Sequence, residues 1–275
     1  MIRSLWSAAT GMNAQQTNVD TIANNLANVN TVGYKSQVAQ FKSLLYQNLQ
    51  TKTTTANGDP KPVTSQVGLG VRNSSINQIF TQGSLIASES DTSFAIEGDG
   101  YFAVQNENGE INYTRNGDFT WSVSGTNTNG KLVLTTTDGY PVLDANGKPI
   151  NLNRDIVTSK ITISSDGRFY YPDANNNPVS LNIKLGLYQF RNPGGLERQG
   201  DSLWAATGAS GAAVNESTSN DVTKSKVVQG YLEGSNVKVA DEMVNLIVAQ
   251  RAYEMNSKAI TTSDEMLQQA NNLKR

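Results

Sequence analysis

Residues 1–35 read MIRSLWSAATGMNAQQTNVDTIANNLANVNTVGYK. Leu5, Met12, Val19 and Leu26 recur every seventh residue, with Ile2, Ala8, Ile22 and Val29 near the second position of the same repeat and polar residues between them. That spacing predicts a helix with a narrow apolar seam, the a/d stripe of a coiled coil, rather than the broad face of a helix sunk in a globular core. Asn24, Asn25, Asn28 and Asn30 lower helix propensity near its end, and Gly33 supplies a terminator. A second short helix is expected on Val38, Phe41, Leu44, Leu45 and Leu49.

The other end of the chain mirrors the first. A long helix is expected from a cap at Ser235 or Asn236, with Asp241 and Glu242 at its positive end. Its stripe is Val239, Leu246, Tyr253, Ile260 and Leu267, again seven apart, widened early by Met243 and Ile247. Glu254 and Lys258 form a favourable i,i+4 pair, and Lys274 and Arg275 complement the negative end of the dipole.

Between the two ends the period changes. Residues 51–66 hold two prolines and no large apolar residue but Val63, and read as an extended connector. From about Val71 to Leu203, short β runs alternate with Asn108-Gly109, Asn116-Gly117, Asn129-Gly130, Asp138-Gly139, Asn146-Gly147 and Asp166-Gly167. Asn-Gly and Asp-Gly supply the positive φ angles that tight hairpins require, so an antiparallel meander is predicted. Residues 206–221 are small and polar and read as a second connector. The fold class is therefore α+β. An N-terminal helical segment (1–50) and an extended segment (51–70) precede a β-rich domain (71–230, flexible over 206–226), and a C-terminal helix (231–275) follows it.

Composition excludes several functions. The 275 residues contain no cysteine and no histidine, which removes Ser-His-Asp, Cys-His, structural zinc and disulfide chemistry. Positive and negative residues are interspersed at a formal net charge of −2, so no footprint for nucleic acid is present. The opening has no apolar stretch suited to a Sec signal, and no run reaches the ~20 apolar residues of a membrane helix. Asp99, Asp118, Asp138 and Asp166 stand beside turn glycines or strand ends and read as turn chemistry, not as an acid/base pair. The stretch from Asp173 to Asn177 lacks the glycine and the glutamate of a calcium loop, and Gly68 with Gly70 is no dinucleotide fingerprint. No catalytic, cofactor or metal site is expected, and the chain reads as a non-enzyme.

What covers the helical stripes decides the function. Full burial of one seam side chain stabilises by ~1.5–3 kcal/mol, so a helix left single in water is marginal. The stripes can pair within one chain, with neighbouring copies, or both. A heterologous contact between copies that does not close generates an open helical filament.

Longer motifs carry a resemblance. NNLANVNTVGYK (24–35) and SNVKVADEMVNLIVAQRAYEMNSKAITTSDEML (235–267) resemble the terminal signatures of the flagellar rod and hook family, the opening being most similar to its rod members. AIEGDGYFAVQ and YTRNGDFTW resemble strand signatures of that family's β domain. The resemblance implies a homopolymer whose terminal helices form a coiled-coil tube around a channel, with the β domain outside. Leu5, Met12, Val19, Ile22 and Leu26 on one helix, and Val239, Met243, Leu246, Tyr253, Ile260 and Leu267 on the other, are then the subunit interface. Asn24, Asn25, Asn28, Gly33 and Tyr34 are the family motif, and Lys238 departs from the acidic or amide residue usual there. Implied partners are proximal rod and hook proteins, the surrounding ring proteins and the flagellar export apparatus, which exports the chain without a cleaved signal. Implied roles are a rigid hollow shaft spanning the periplasm that transmits torque to the hook and conducts export substrates. Residues 49–70 are read as its stiffening element, and Gln268, Gln269, Asn271, Asn272, Lys274 and Arg275 as channel lining. The alternatives are a proximal rod or hook-type member, or a surface β binding module. The last would need exposed aromatics, whereas Trp121 and Trp204 fall in the β segment and Trp6 on the helix.

Overall fold

A computed structural model describes residues 2–49, 65–123, 131–153, 156–173, 177–219 and 221–273. Expectations for residues 51–64, for the Asn129-Gly130 turn and for Lys274 and Arg275 lie outside them. The chain forms two compact units, one of Met1–Ala27, Gln37–Gln78 and Lys238–Arg275, the other of Asn28–Ser36 and Ile79–Val237.

The first unit is built on two long helices, α1 (Ile2–Ala27) and α2 (Val239–Asn272). They run antiparallel, since Ser4 meets Ser263, Gly11 faces Asn256, and Asn25 bonds Glu242. Four strands complete the unit: β1 (Gln37–Ser43), β2 (Tyr46–Asn48), β3 (Gln66–Gly68) and β4 (Val71–Gln78). β1 pairs antiparallel with β4, from Gln37 opposite Gln78 to Ser43 opposite Val71, with a bulge at Gln40 and Phe41. β2 pairs with β3, and Leu44 N–H to Gly70 C=O (2.8 Å) splices the two ladders into one ribbon. The expected helix over 38–49 is thus replaced by strands. The inward residues Gln37, Ala39 and Phe41 alternate with exposed Val38, Gln40 and Lys42, a period of two that the Leu-rich tail of the segment masks. The ribbon lies close against α1 at Gly70, where φ is +107° and a Cβ would collide with the Thr10 hydroxyl.

α2 starts later than expected, because Ser235 and Asn236 do not cap it. Lys238 holds the cap position with no side-chain bond. Asn236 is spent within the second unit, where its amide donates to the Ile79 carbonyl (2.8 Å) and its Oδ1 accepts from Ser36 N–H (2.7 Å). Tyr231–Glu233, just before the expected helix start, form a strand paired with Leu85–Ala87.

Every strand pairing of the second unit among the described residues is antiparallel, but the unit is not a simple meander. Its largest sheet orders Glu197–Gly200, Leu203–Ala205, Ile111–Thr114, Tyr101–Gln105, Leu187–Gln189 and Val214–Asn215 side by side. Smaller sheets are formed by Phe119–Val123 with Leu132–Thr136 and Asn151–Leu152, and by Thr162–Ile163 with Arg168–Pro172 and Pro178–Lys184. Phe94, Phe102, Phe119, Leu134, Phe169 and Leu185 fill one core, and Tyr101, Tyr113, Phe190 and Trp204 a second. Gly109, Gly139, Gly147 and Gly167 take the positive φ that their turns demand. Gly117 does not, because it marks a close approach in which a Cβ would clash with the Phe94 carbonyl.

The main stretch of the unit starts at Ile79, not Val71, since β4 belongs with β1. The polar stretch expected to be a flexible connector is bonded into the sheet, with Ser210 and Glu216 buried and Val214–Asn215 an edge strand. Hydrogen bonds order it where apolar burial cannot: Ser210 Oγ donates to Thr207 C=O (2.8 Å), and Glu216 accepts from Ser225 N–H (2.8 Å).

Candidate assembly surface

The contact between α1 and α2 is made chiefly of small and polar side chains. Ser4 Oγ lies 3.4 Å from Ser263 Oγ, a Cβ added at Gly11 would sit 2.9 Å from Asn256 Nδ2, and Asn25 Nδ2 donates to Glu242 Oε1 at 3.2 Å. These layers step by seven on both helices, and the same step sets Asn18 level with buried Ala249. Small residues allow close approach of the backbones, so the helices meet without consuming the larger apolar side chains.

Asn25 ties three elements of this unit together. Its amide donates to the Gln37 carbonyl (2.8 Å), its Oδ1 accepts from Gln37 N–H (2.8 Å), and it also reaches Glu242. The side chain thereby imitates a strand neighbour for the first residue of β1 while joining α1 to α2. Burial raises the Glu242 carboxyl above the usual range, opposed by the Asn25 bond and assisted by Asp241.

The sequence-predicted interface residues divide in two. On α1, Ile22 is buried and Leu5, Met12, Val19 and Leu26 are half-buried. On α2, Leu246, Ile260 and Leu267 are half-buried, whereas Val239, Met243 and Tyr253 are exposed. A different set carries the open apolar surface: Val244 (59% exposed), Val248 (63%), Met255 (66%) and Met266 (46%) share one stripe of α2, flanked by Ile247 and Met243. The heptad reading missed this stripe because it followed the row Val239, Leu246, Tyr253, Ile260 and Leu267 on another side of the helix. Its signal was present as a second apolar row at helical spacing.

Of the motif residues, Asn24 is an exposed position at the end of α1, and Asn25 forms the node just described. The others fall in the second unit. Asn28 Oδ1 accepts from Thr31 Oγ1 (3.1 Å), and Gly33 turns with φ +69° against the Arg115–Asn116 backbone. Tyr34 is buried beneath Arg198, whose guanidinium carbon lies 5.0 Å from its ring centroid.

Sequence reasoning also missed a buried ion triad in that unit. Lys35 Nζ lies 2.6 Å from Glu233 Oε1, and Arg115 Nη1 lies 3.2 Å from Glu233 Oε2. Lys35 also donates to the Thr81 carbonyl (2.8 Å), Gly83 N–H donates to Glu233 Oε1 (2.9 Å), and Arg115 stacks 4.8 Å from the Tyr101 centroid. Burial pulls the Lys35 ammonium below its ordinary pKa against the pull of Glu233. The triad joins the stretch after α1 to the strand before α2, so both chain passages toward the helices are held by one cluster. Lys35 and Arg115 stand inside the quoted motifs, but nothing local in sequence pairs them with Glu233. Among the described residues no cluster of three or more acidic side chains is placed to hold a metal ion, and no helix is long and apolar enough to cross a membrane.

Three family models match the chain. Residues 5–35 match the model described as flagella basal body rod protein, residues 95–171 the flagellar hook protein FlgE/F/G D1 domain, and residues 228–273 the flagellar basal body rod FlgEFG protein C-terminal. Among curated proteins, the chain is 43% identical over 277 residues to the flagellar basal-body rod protein FlgG of Borreliella burgdorferi, covering 100% of both chains. It is 42% identical to FlgG of Agrobacterium fabrum over 96% of this chain and 97% of that one, and 37% identical to FlgG of Bacillus subtilis over 100% of both.

Proposed function

We propose a mode of assembly from one premise: this chain belongs to the flagellar basal-body rod protein family. It is a structural subunit of the distal rod and resides in the flagellar basal body.

The chain polymerises through its two helices, and the open stripe on α2 is the observation that carries this reading. Val244, Val248 and Met255 are each more than half exposed. At ~1.5–3 kcal/mol for full burial, each has roughly 1 kcal/mol still to gain from a neighbour. The face toward α1 is already covered by small-residue packing, so this second face is left for other copies. A helix covered on one face by its own partner helix and on the other by identical copies makes a coiled-coil wall, and a contact that rotates without closing makes it a tube. Such a tube is the hollow shaft that transmits torque from motor to hook and conducts export substrates. The Gln- and Asn-rich end of α2, at Gln268, Gln269, Asn271 and Asn272, supplies a polar channel lining. Residues 49–70 stiffen the shaft through contacts between copies. Proximal rod, hook and ring proteins and the export apparatus are its partners, and catalysis has no part in the role.

The test is substitution on the open stripe. Val248→Asp and Met255→Asp should leave the helical circular dichroism of the monomer intact while abolishing rods and motility in a rod-deficient strain. Normal rods from the double variant would sink the reading.

A further inference from the structure

Arg168 and Lys184 are cross-strand partners in the second unit, at the end of the pairing of Arg168–Pro172 with Pro178–Lys184 and beyond a register shift between Arg168 and Tyr170. Two like charges directly opposite on an antiparallel pair destabilise it, and a violated local rule of this kind marks a functional site more often than an error. Lys224 joins them around one concavity of about 180 Å³, room for several waters at ~30 Å³ each. Among the described residues none of the three cations forms an ion pair, and their side chains make only one hydrogen bond, Lys184 Nζ to Ser217 Oγ at 3.5 Å.

Two carboxylates share the concavity and offset part of this charge. Asp166 forms no ion pair among the described residues. Glu216 is buried, with its oxygens held by neutral donors: Ser225 N–H (2.8 Å), Ser225 Oγ (2.8 Å) and Gln189 Nε2 (2.7 Å). One positive charge is left in excess, in a chain whose net charge is −2.

We propose that this concavity is an oxyanion site that takes a carboxylate or phosphate group. An oxyanion between Arg168 and Lys184 turns the repulsion across the strands into two charge-assisted contacts, and the arginine offers a bidentate fork. Lys224 closes the third side.

The experiment is thermal unfolding of the full-length protein in sodium chloride, sodium phosphate and sodium acetate at equal ionic strength. With phosphate or acetate about fivefold above its Kd, the wild-type midpoint should rise by about 2–4 °C over chloride. A rise in acetate as well as phosphate assigns a carboxylate ligand, and a rise in phosphate alone assigns a phosphate. Lys184→Gln and Arg168→Gln should each lose the anion-specific rise, and in chloride should melt no lower than wild type because the repulsion is gone. Equal midpoints in all three salts would overturn the proposal. So would variants that keep the anion-specific rise, or a Lys184→Gln variant that melts lower than wild type in chloride.

Discussion

Glu233 and Lys35 meet at 2.6 Å with side chains 0% and 1% exposed, on the strand that precedes α2 and in the stretch that follows α1. A buried carboxylate stripped of one partner keeps its desolvation penalty and loses its compensation. Lys35→Met should therefore destabilise the second unit by about 3–5 kcal/mol, read by urea unfolding through the fluorescence of buried Trp204. Glu233→Gln strands Arg115 in either background but strands Lys35 only where Lys35 is present, so the double variant should lose less than the sum of the single changes. A loss under 1 kcal/mol for Lys35→Met would show that the triad holds nothing.

The same cluster sets the alkaline limit. Burial pushes Tyr101 up to about 12, with Arg115 pulling the other way, and burial with Tyr188 pushes Tyr113 up to about 12. Both phenols stay protonated in the fold where an unfolded tyrosine, near 10, has begun to ionise. A raised folded pKa gives stability that is present below the unfolded value and lost as pH rises through the folded one. Stability should hold up to about pH 10 and fall between about 10 and 12. In a spectrophotometric titration Tyr101 and Tyr113 should be among the late-ionising phenols, and Tyr113→Phe should remove one of these.

Both terminal helices were legible because their seven-residue spacing is a local signal that no distant contact needs to supply. The antiparallel β middle was legible for the same reason, through Asn-Gly and Asp-Gly turns such as Asn146-Gly147, where φ is +76°. What stayed hidden depends on partners remote in sequence. Val38 to Leu49 reads as helix until β4 and β3 pair with it, and Asn236 reads as a cap until Ser36 and Ile79 claim its side chain. Glu233 reads as an ordinary surface acid until Lys35 and Arg115 surround it. On α2 the heptad count follows Val239, Leu246, Tyr253, Ile260 and Leu267, whereas α1 meets Glu242, Asn256 and Ser263 and the open row is Val244, Val248 and Met255, because a heptad count tracks one apolar row and passes over small and polar contacts.

Asn25 satisfies both backbone groups of Gln37 with one planar amide, a task open to few side chains. Asn25→Asp keeps the acceptor and loses both donor bonds, and brings a second carboxylate to Glu242. Asn25→Ala leaves the Gln37 donor and acceptor unpaired. Each change should cost about 1–3 kcal/mol. The Gln37 amide should exchange faster with deuterium in Asn25→Ala, ahead of amides in the middle of α1. Unchanged protection at Gln37 would remove the assigned role.

Glu242 is the opposite case, a partner whose charge works against the fold. Its carboxyl is raised by burial, so its favourable contribution is present below about 4.5 and is lost as pH rises through the higher folded value. At neutral pH the ionised form sits in a half-buried site with a neutral donor, the Asn25 amide, and with Asp241 beside it in sequence. Glutamine preserves the length and the oxygen that accepts from Asn25, and carries no charge to desolvate. Glu242→Gln should therefore melt at or above wild type at pH 7, and the gain should shrink as pH falls toward 4, where wild type becomes protonated. The measurement is the unfolding midpoint of both proteins across that range. A variant less stable than wild type at pH 7, with a gap that does not narrow in acid, would mean that the charge itself is what the Asn25 layer needs.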